Sequence, residues 1–126
     1  MRKIDVVAGY YLSRLATSDK LAAITEAIAL SKDLSFRVSN HPDATTPDGV
    51  YILLRCKDLI TGLEDLKDNF SSLKPEIIYS KARTLWNIAG VIEQQLWELS
   101  NSDVLKQLAT KIYDLLYNAF TEPKIK

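Results

Sequence analysis

A chain of 126 residues with sixteen basic and sixteen acidic side chains carries no net charge, and 47% of it is hydrophobic. This composition excludes intrinsic disorder, and the lack of a basic excess argues against general binding to a nucleic-acid backbone. Cys56 is the only cysteine, so no intrachain disulfide and no multi-thiolate metal site can form, and no apolar run approaches the roughly twenty residues of a membrane span.

The N-terminus meets Asp5 before any long apolar stretch, unlike a secretory signal, and with the lone thiol this points to the cytoplasm. No repeat, linker or low-complexity tract interrupts residues 1–126, so the chain reads as one domain. Apolar residues recur at alternating gaps of three and four, the mark of amphipathic helices.

In chain order, a short first helix is expected over residues 4–16, with Ile4, Ala8, Tyr11 and Leu15 on one seam. Thr17, Ser18 and Asp19 offer capping oxygens for a second helix over 20–38, facing inward with Leu21, Ile24, Ala27, Ile28 and Leu34. Residues 39–48 lack an apolar period and read as a loop. Thr46, Pro47 and Asp48 then open a third helix over 47–70, whose seam runs through Ile52, Cys56, Leu59, Leu63, Leu66 and Phe70.

After a turn at 71–74, Pro75 opens a fourth helix, with Ile78, Ala82, Leu85, Ala89, Ile92, Leu96 and Leu99 inward. At a rise of about 1.5 Å per residue it spans nearly 40 Å. Asn101 and Ser102 break it and offer a new cap. Leu105, Leu108, Ile112, Leu115 and Ala119 line a last helix ending near Pro123. Short connections make neighbours antiparallel, so the expected fold is all-α: an antiparallel four-helix bundle with an additional short N-terminal helix.

Residues able to carry chemistry are few. His41 is the only histidine, and a triad would have to join it to Cys56, which stands on an inward seam where a thiol behaves as a small apolar group. His41, Asp43 and Asp48 lack paired metal-ligand spacing, so they read as a solvated loop; no metal and no cofactor are expected. The four glycines stand far apart and form no phosphate cradle. Arg37, four positions before His41, resembles the arginine and histidine pair of helical-bundle ribonucleases of the HEPN class. That resemblance implies RNA cleavage at these two residues, but the interval is shorter than in that family and Pro42 follows in a loop.

Two polar residues interrupt the apolar arcs. Arg55 projects between Tyr51, Leu59 and Leu66 on the third helix, and Glu93 between Trp86, Ala89 and Trp97 on the fourth. A hairpin centred near residue 72 sets position 55 opposite position 90, so Arg55 and Glu93 are expected to pair. The pair serves either as a register-fixing contact or as part of a pocket with Trp86.

The last helix has an apolar arc wider than one contact needs, from Val104 through Ile112 and Phe120 to Tyr113 and Tyr117. Its outer flank either docks a partner, continuing onto Tyr79 and Trp97, or lies under Tyr10 and Tyr11 of the first helix. The expected function is a non-catalytic protein-interaction module: an inhibitor, adaptor or assembly subunit that also forms a homodimer. Trp97, Tyr113, Tyr117 and Phe120 are its anchors. The alternative is a bundle that binds an anionic or nucleotide-like small ligand at Arg55, Glu93 and Trp86. A nucleic-acid accessory role or a HEPN-like ribonuclease stands behind both.

Overall fold

The computed structural model describes residues 17–121. Four helices form there: α1 (Thr17–Ser39), α2 (Pro47–Asp68), α3 (Pro75–Leu96) and α4 (Asp103–Phe120), with a 3-10 turn at Phe70–Ser72. No strand occurs among the described residues. The helix expected over 4–16 lies outside them, and α1 is the helix expected over 20–38. Thr17, Ser18 and Asp19 do not precede it as a cap. They already lie within it.

The local chemistry at the other helix ends explains where each begins and stops. Thr46 caps α2, its hydroxyl accepting the Gly49 N–H at 3.1 Å, while Pro47 fills the first helical position where no amide partner is needed. At the far end of α2 the Asn69 side chain donates to the Asp65 carbonyl at 2.9 Å, and Phe70 falls in the 3-10 turn beyond the helix.

Helix α3 stops at Leu96, one turn short of the expected Leu99, so by the helical rise it is about 33 Å long. Ser102 ends it: its buried hydroxyl donates to the Leu96 carbonyl at 2.7 Å, satisfying an orphan acceptor. Ser102 makes no side-chain cap for α4, its backbone at φ −104° and ψ 14° lying outside the extended region usual for a capping residue. The connection passes through Asn101 at φ 46°, a left-handed conformation that asparagine tolerates.

Each helix packs on two neighbours in the cyclic order α1, α2, α3, α4. Contact order shows the antiparallel arrangement directly. Asp48 at the start of α2 meets Gln95 at the end of α3 at 2.7 Å, and Gly62 further along α2 lies under Leu85 nearer the start of α3. The expected seams form the core: Ile24 and Leu34 from α1, Ile52, Leu59 and Leu63 from α2, Leu85, Ile92 and Leu96 from α3, Leu105 and Ile112 from α4. Leu99, past the end of α3, is buried all the same.

On α4 the stripe is rotated. Leu116 and Ala109 are fully buried, whereas Leu108 and Leu115 are half-buried, because the helix is rolled toward α3 and brings its tyrosines onto that neighbour. Among the described residues, no helix is long and apolar enough to cross a membrane.

Two positions test this packing. Gly49 is buried in the first turn of α2, where an added Cβ would collide with the Asp43 carbonyl oxygen and approach the Ala44 backbone to 2.8 Å. Gly49→Ala should therefore lower unfolding free energy in urea by about 1–3 kcal/mol, since the obstruction is backbone and cannot swing aside. Ser31 is fully buried on α1 and its hydroxyl has no hydrogen-bond partner. Ser31→Ala removes that unsatisfied group at little cost in volume and should leave the melting temperature unchanged or raise it, by up to ~1 kcal/mol in stability.

Candidate functional site: the aromatic face of α3 and α4

Rolling α4 toward α3 assembles a continuous line of aromatic side chains along the seam between them. Trp86 on α3 is buried and meets Tyr79 edge-on, at 5.8 Å between centroids, and Tyr117 of α4 edge-on at 5.4 Å. Tyr117 stacks in parallel on Tyr113 at 5.8 Å, and the Tyr113 ring lies against Gly90. These geometries suit the ring quadrupoles, which favour edge-to-face and offset contacts.

At the other end stands Trp97, just past the helix and 63% exposed. Its indole N–H donates to Glu93 Oε2 at 3.2 Å, and the Lys106 ammonium sits 3.4 Å from the ring centroid. Lys106 is in turn held 3.3 Å from Asp103. The tryptophan is therefore fixed at its edge and on one face while the rest of the ring remains in solvent.

Three of the four expected anchors share this face. Trp97 and Tyr117 are exposed on it, and Tyr113 is half-buried between Tyr117 and Gly90. Phe120 is a correction. It is 2% exposed and packs on Phe70 at 6.5 Å, closing the end of the bundle, because the final turn of α4 meets the 3-10 turn after α2.

The expected pairing of Arg55 with Glu93 is also corrected. Arg55 binds Asp58 on its own helix at 2.7 Å and lies over the Tyr51 ring at 5.3 Å, in a cleft between α2 and α3 lined by Thr84, Asn87 and Val91. Glu93 faces the opposite flank of α3, toward α4 and Trp97. The two residues stand at similar heights on the bundle with the width of α3 between them. Arg55, Glu93 and Trp86 consequently do not line one pocket.

The loop around His41 proves to be a structural latch. The backbone N–H of Asp43 donates to His41 Nδ1 at 2.9 Å, so Nδ1 carries the lone pair. Nε2 then bears the proton and donates to the Ser100 carbonyl at 2.7 Å. Both ring nitrogens are engaged. Asp43 Oδ2 accepts the Ser100 N–H and hydroxyl, each at 3.1 Å, tying the loop at 40–46 to the one at 97–102. Arg37 points back along α1 to Asp33 at 3.1 Å.

Cys56 is buried, and that burial pushes its thiol up to about 12, far from a reactive thiolate at neutral pH. Among the described residues no cluster of histidine, cysteine and acidic side chains could hold a metal ion. No family model, curated protein or solved structure matches the chain.

The latch carries a pH signature. Hydrogen bonds from the Ser100 N–H, and then from its hydroxyl, hold the Asp43 carboxyl below its ordinary value. A depressed folded value means that the stabilisation is complete above the unfolded carboxylate range, near pH 4. It is lost as pH falls through the folded value. Melting curves from neutral to acid pH should show Asp43→Asn less stable than wild type at pH 7, with the difference shrinking below about pH 4. A difference that is constant across that range would contradict this role.

Proposed function

We propose that this chain is a non-catalytic protein-interaction module, an inhibitor, adaptor or assembly subunit that docks on a protein partner through the aromatic face of α3 and α4. The observation that carries the reading is the exposed Trp97 ring, contacted by Glu93 at its N–H and by Lys106 over its face. A tryptophan whose rotamers such contacts restrict loses less conformational entropy on binding and offers a large apolar surface, the properties of an interface hot spot. Tyr117, 44% exposed and braced by Trp86 and Tyr113, supplies a second anchor on the same face.

Self-association through this face is the simplest form of the reading, with one copy serving as partner for another. Light scattering over a concentration series should then give a mass approaching twice 14.2 kDa for the wild type, and the monomer mass for Trp97→Ala with Tyr117→Ala. Far-UV circular dichroism should retain the helical signal in the double variant, because the buried leucine and isoleucine seams of all four helices are untouched. A wild type that stays monomeric removes the homodimer. A pull-down from the native host, with Trp97→Ala as control, then tests the reading for other partners. Should every protein recovered with the wild type also be recovered with the variant, the face has no docking role.

A further inference from the structure

We infer that residues 1–12 lie as a helix along the flank of α4 beside α1, parallel to α4, with residues 13–16 turning the chain back into α1. Residues 1–16 are outside the described ones, but the flank they cover is not. It is the flank of α4 turned away from Tyr117 and α3, so this role is independent of the docking face proposed above.

Rolling α4 toward α3 leaves one of its stripes turned outward next to α1. Val104, Leu108, Lys111 and Leu115 follow one another at gaps of four, three and four, so they share that stripe. Val104 is 56% exposed, and Leu108 and Leu115 are half-buried. On α1 the facing edge holds Ala23 and, two turns on, Leu30, both half-buried. A cleft of about 650 Å³ opens here, with Ala23 on one side and Lys111, Leu115 and Ala119 on the other. From Val104 to Leu115 the stripe is about 16 Å long, three turns of helix.

Sequence and tether select the occupant. Ten of residues 1–16 are apolar, a larger share than the 47% of the whole chain, and such a segment gains by burial. Ile4, Ala8, Tyr11 and Leu15 repeat the gaps of four, three and four found on the stripe, so a helix there matches it in rhythm and in length. Thr17 starts α1, and Ala23, less than two turns further on, already borders the cleft beside Leu115. A segment that reverses just before Thr17 therefore passes over Leu115 first. Since α1 and α4 are antiparallel neighbours, it then runs parallel to α4 and brings Ile4 to the level of Val104. Four residues suffice for the reversal, because helix connections in bundles take about two to eight. The other stretch outside the described residues, 122–126, offers Ile125 as its one large apolar side chain and is too short to cover the stripe. A tether this short also holds the segment at millimolar effective concentration, which a second copy or another protein would have to overcome.

A nitroxide on Lys3→Cys, in the whole chain, tests this arrangement, because Cys56 is buried and stays unlabelled. With the segment docked, the label sits near Val104. The amide signals of Val104 and Leu108 should be lost to paramagnetic broadening, while that of Leu54, on the α2 side of the bundle, is retained. A straight continuation of α1 would instead carry residue 3 about 21 Å beyond Thr17, away from Val104. Ala8→Asp with Tyr11→Asp leaves the described helices untouched and should restore both lost signals. Full Val104 and Leu108 signals in the labelled protein, or broadening that survives the two aspartates, would overturn the inference. Equal broadening when nitroxide and isotope are carried by separate, mixed copies would also overturn it, by assigning the flank to a second copy of the chain.

Discussion

The seam between α3 and α4 sets the geometry on which the aromatic face depends, and Trp86 is its wedge. A buried indole held edge-on by Tyr79 on its own helix and by Tyr117 across the seam cannot shift along the bundle without losing both contacts. Further up, Lys106 meets Trp97. In both pairs the residue number rises on one helix as it falls by the same amount on the other, so two contacts about 16 Å apart agree on a single antiparallel register. That register places Gly90 against Tyr113. Sliding by one turn, about 5.4 Å, would break the whole line at once.

The far side of the molecule contributes through its loops. Trp97 lies in the connection after α3, and that connection is restrained at several points. Ser102 bonds back to Leu96, Ser100 is bonded to Asp43, and the Ser100 carbonyl is bonded to His41. The loop bearing His41 and Asp43 sits directly on Gly49, where nothing larger than hydrogen fits. A buried glycine in α2 therefore bears, through the loop above it, on the turn that carries the exposed tryptophan. Rigidity of a surface anchor is here a property of the whole end of the bundle.

Helix identity and inward faces were readable from apolar spacing because burial of one stripe per helix dominates the energetics, and α1 to α3 bury most of the seams that spacing indicates, with Leu21, Ile28 and Ile78 half-buried. What spacing leaves open is how far each helix rolls about its own axis. Leu115 and Leu116 differ by one position, and only the tyrosine contacts with Trp86 decide which turns inward. The same ambiguity separates Arg55 from Glu93. Counting from the turn sets their heights correctly, but which flank of α3 each faces depends on angles that a hairpin count does not contain. Phe120 belongs to the wide arc of α4 and ends in the core because Phe70 lies within reach beyond α2. The latch had no signal in spacing at all, since His41 and Ser100 are distant in sequence and meet only once the bundle closes.

An exposed apolar side chain is ordinary in itself, so Trp97 must be weighed against its peers. Phe36 is more exposed, at 68%, and Leu54 reaches 52%. Neither makes a ring or polar side-chain contact among the described residues, so each would have to lose rotamer freedom on meeting a partner, at about 0.5–1.5 kcal/mol per side chain. Trp97 differs in having its N–H on Glu93 and its ring face on Lys106, contacts that restrict its rotamers. Folding has met part of the cost that binding would otherwise bear, and neighbours with matching polar tips extend the surface toward Tyr117. Isolated apolar exposure needs no explanation by function. An exposed tryptophan held by Glu93 and Lys106, on the same seam as four aromatic rings in mutual contact, is different, because it gathers several interface-forming side chains on one face.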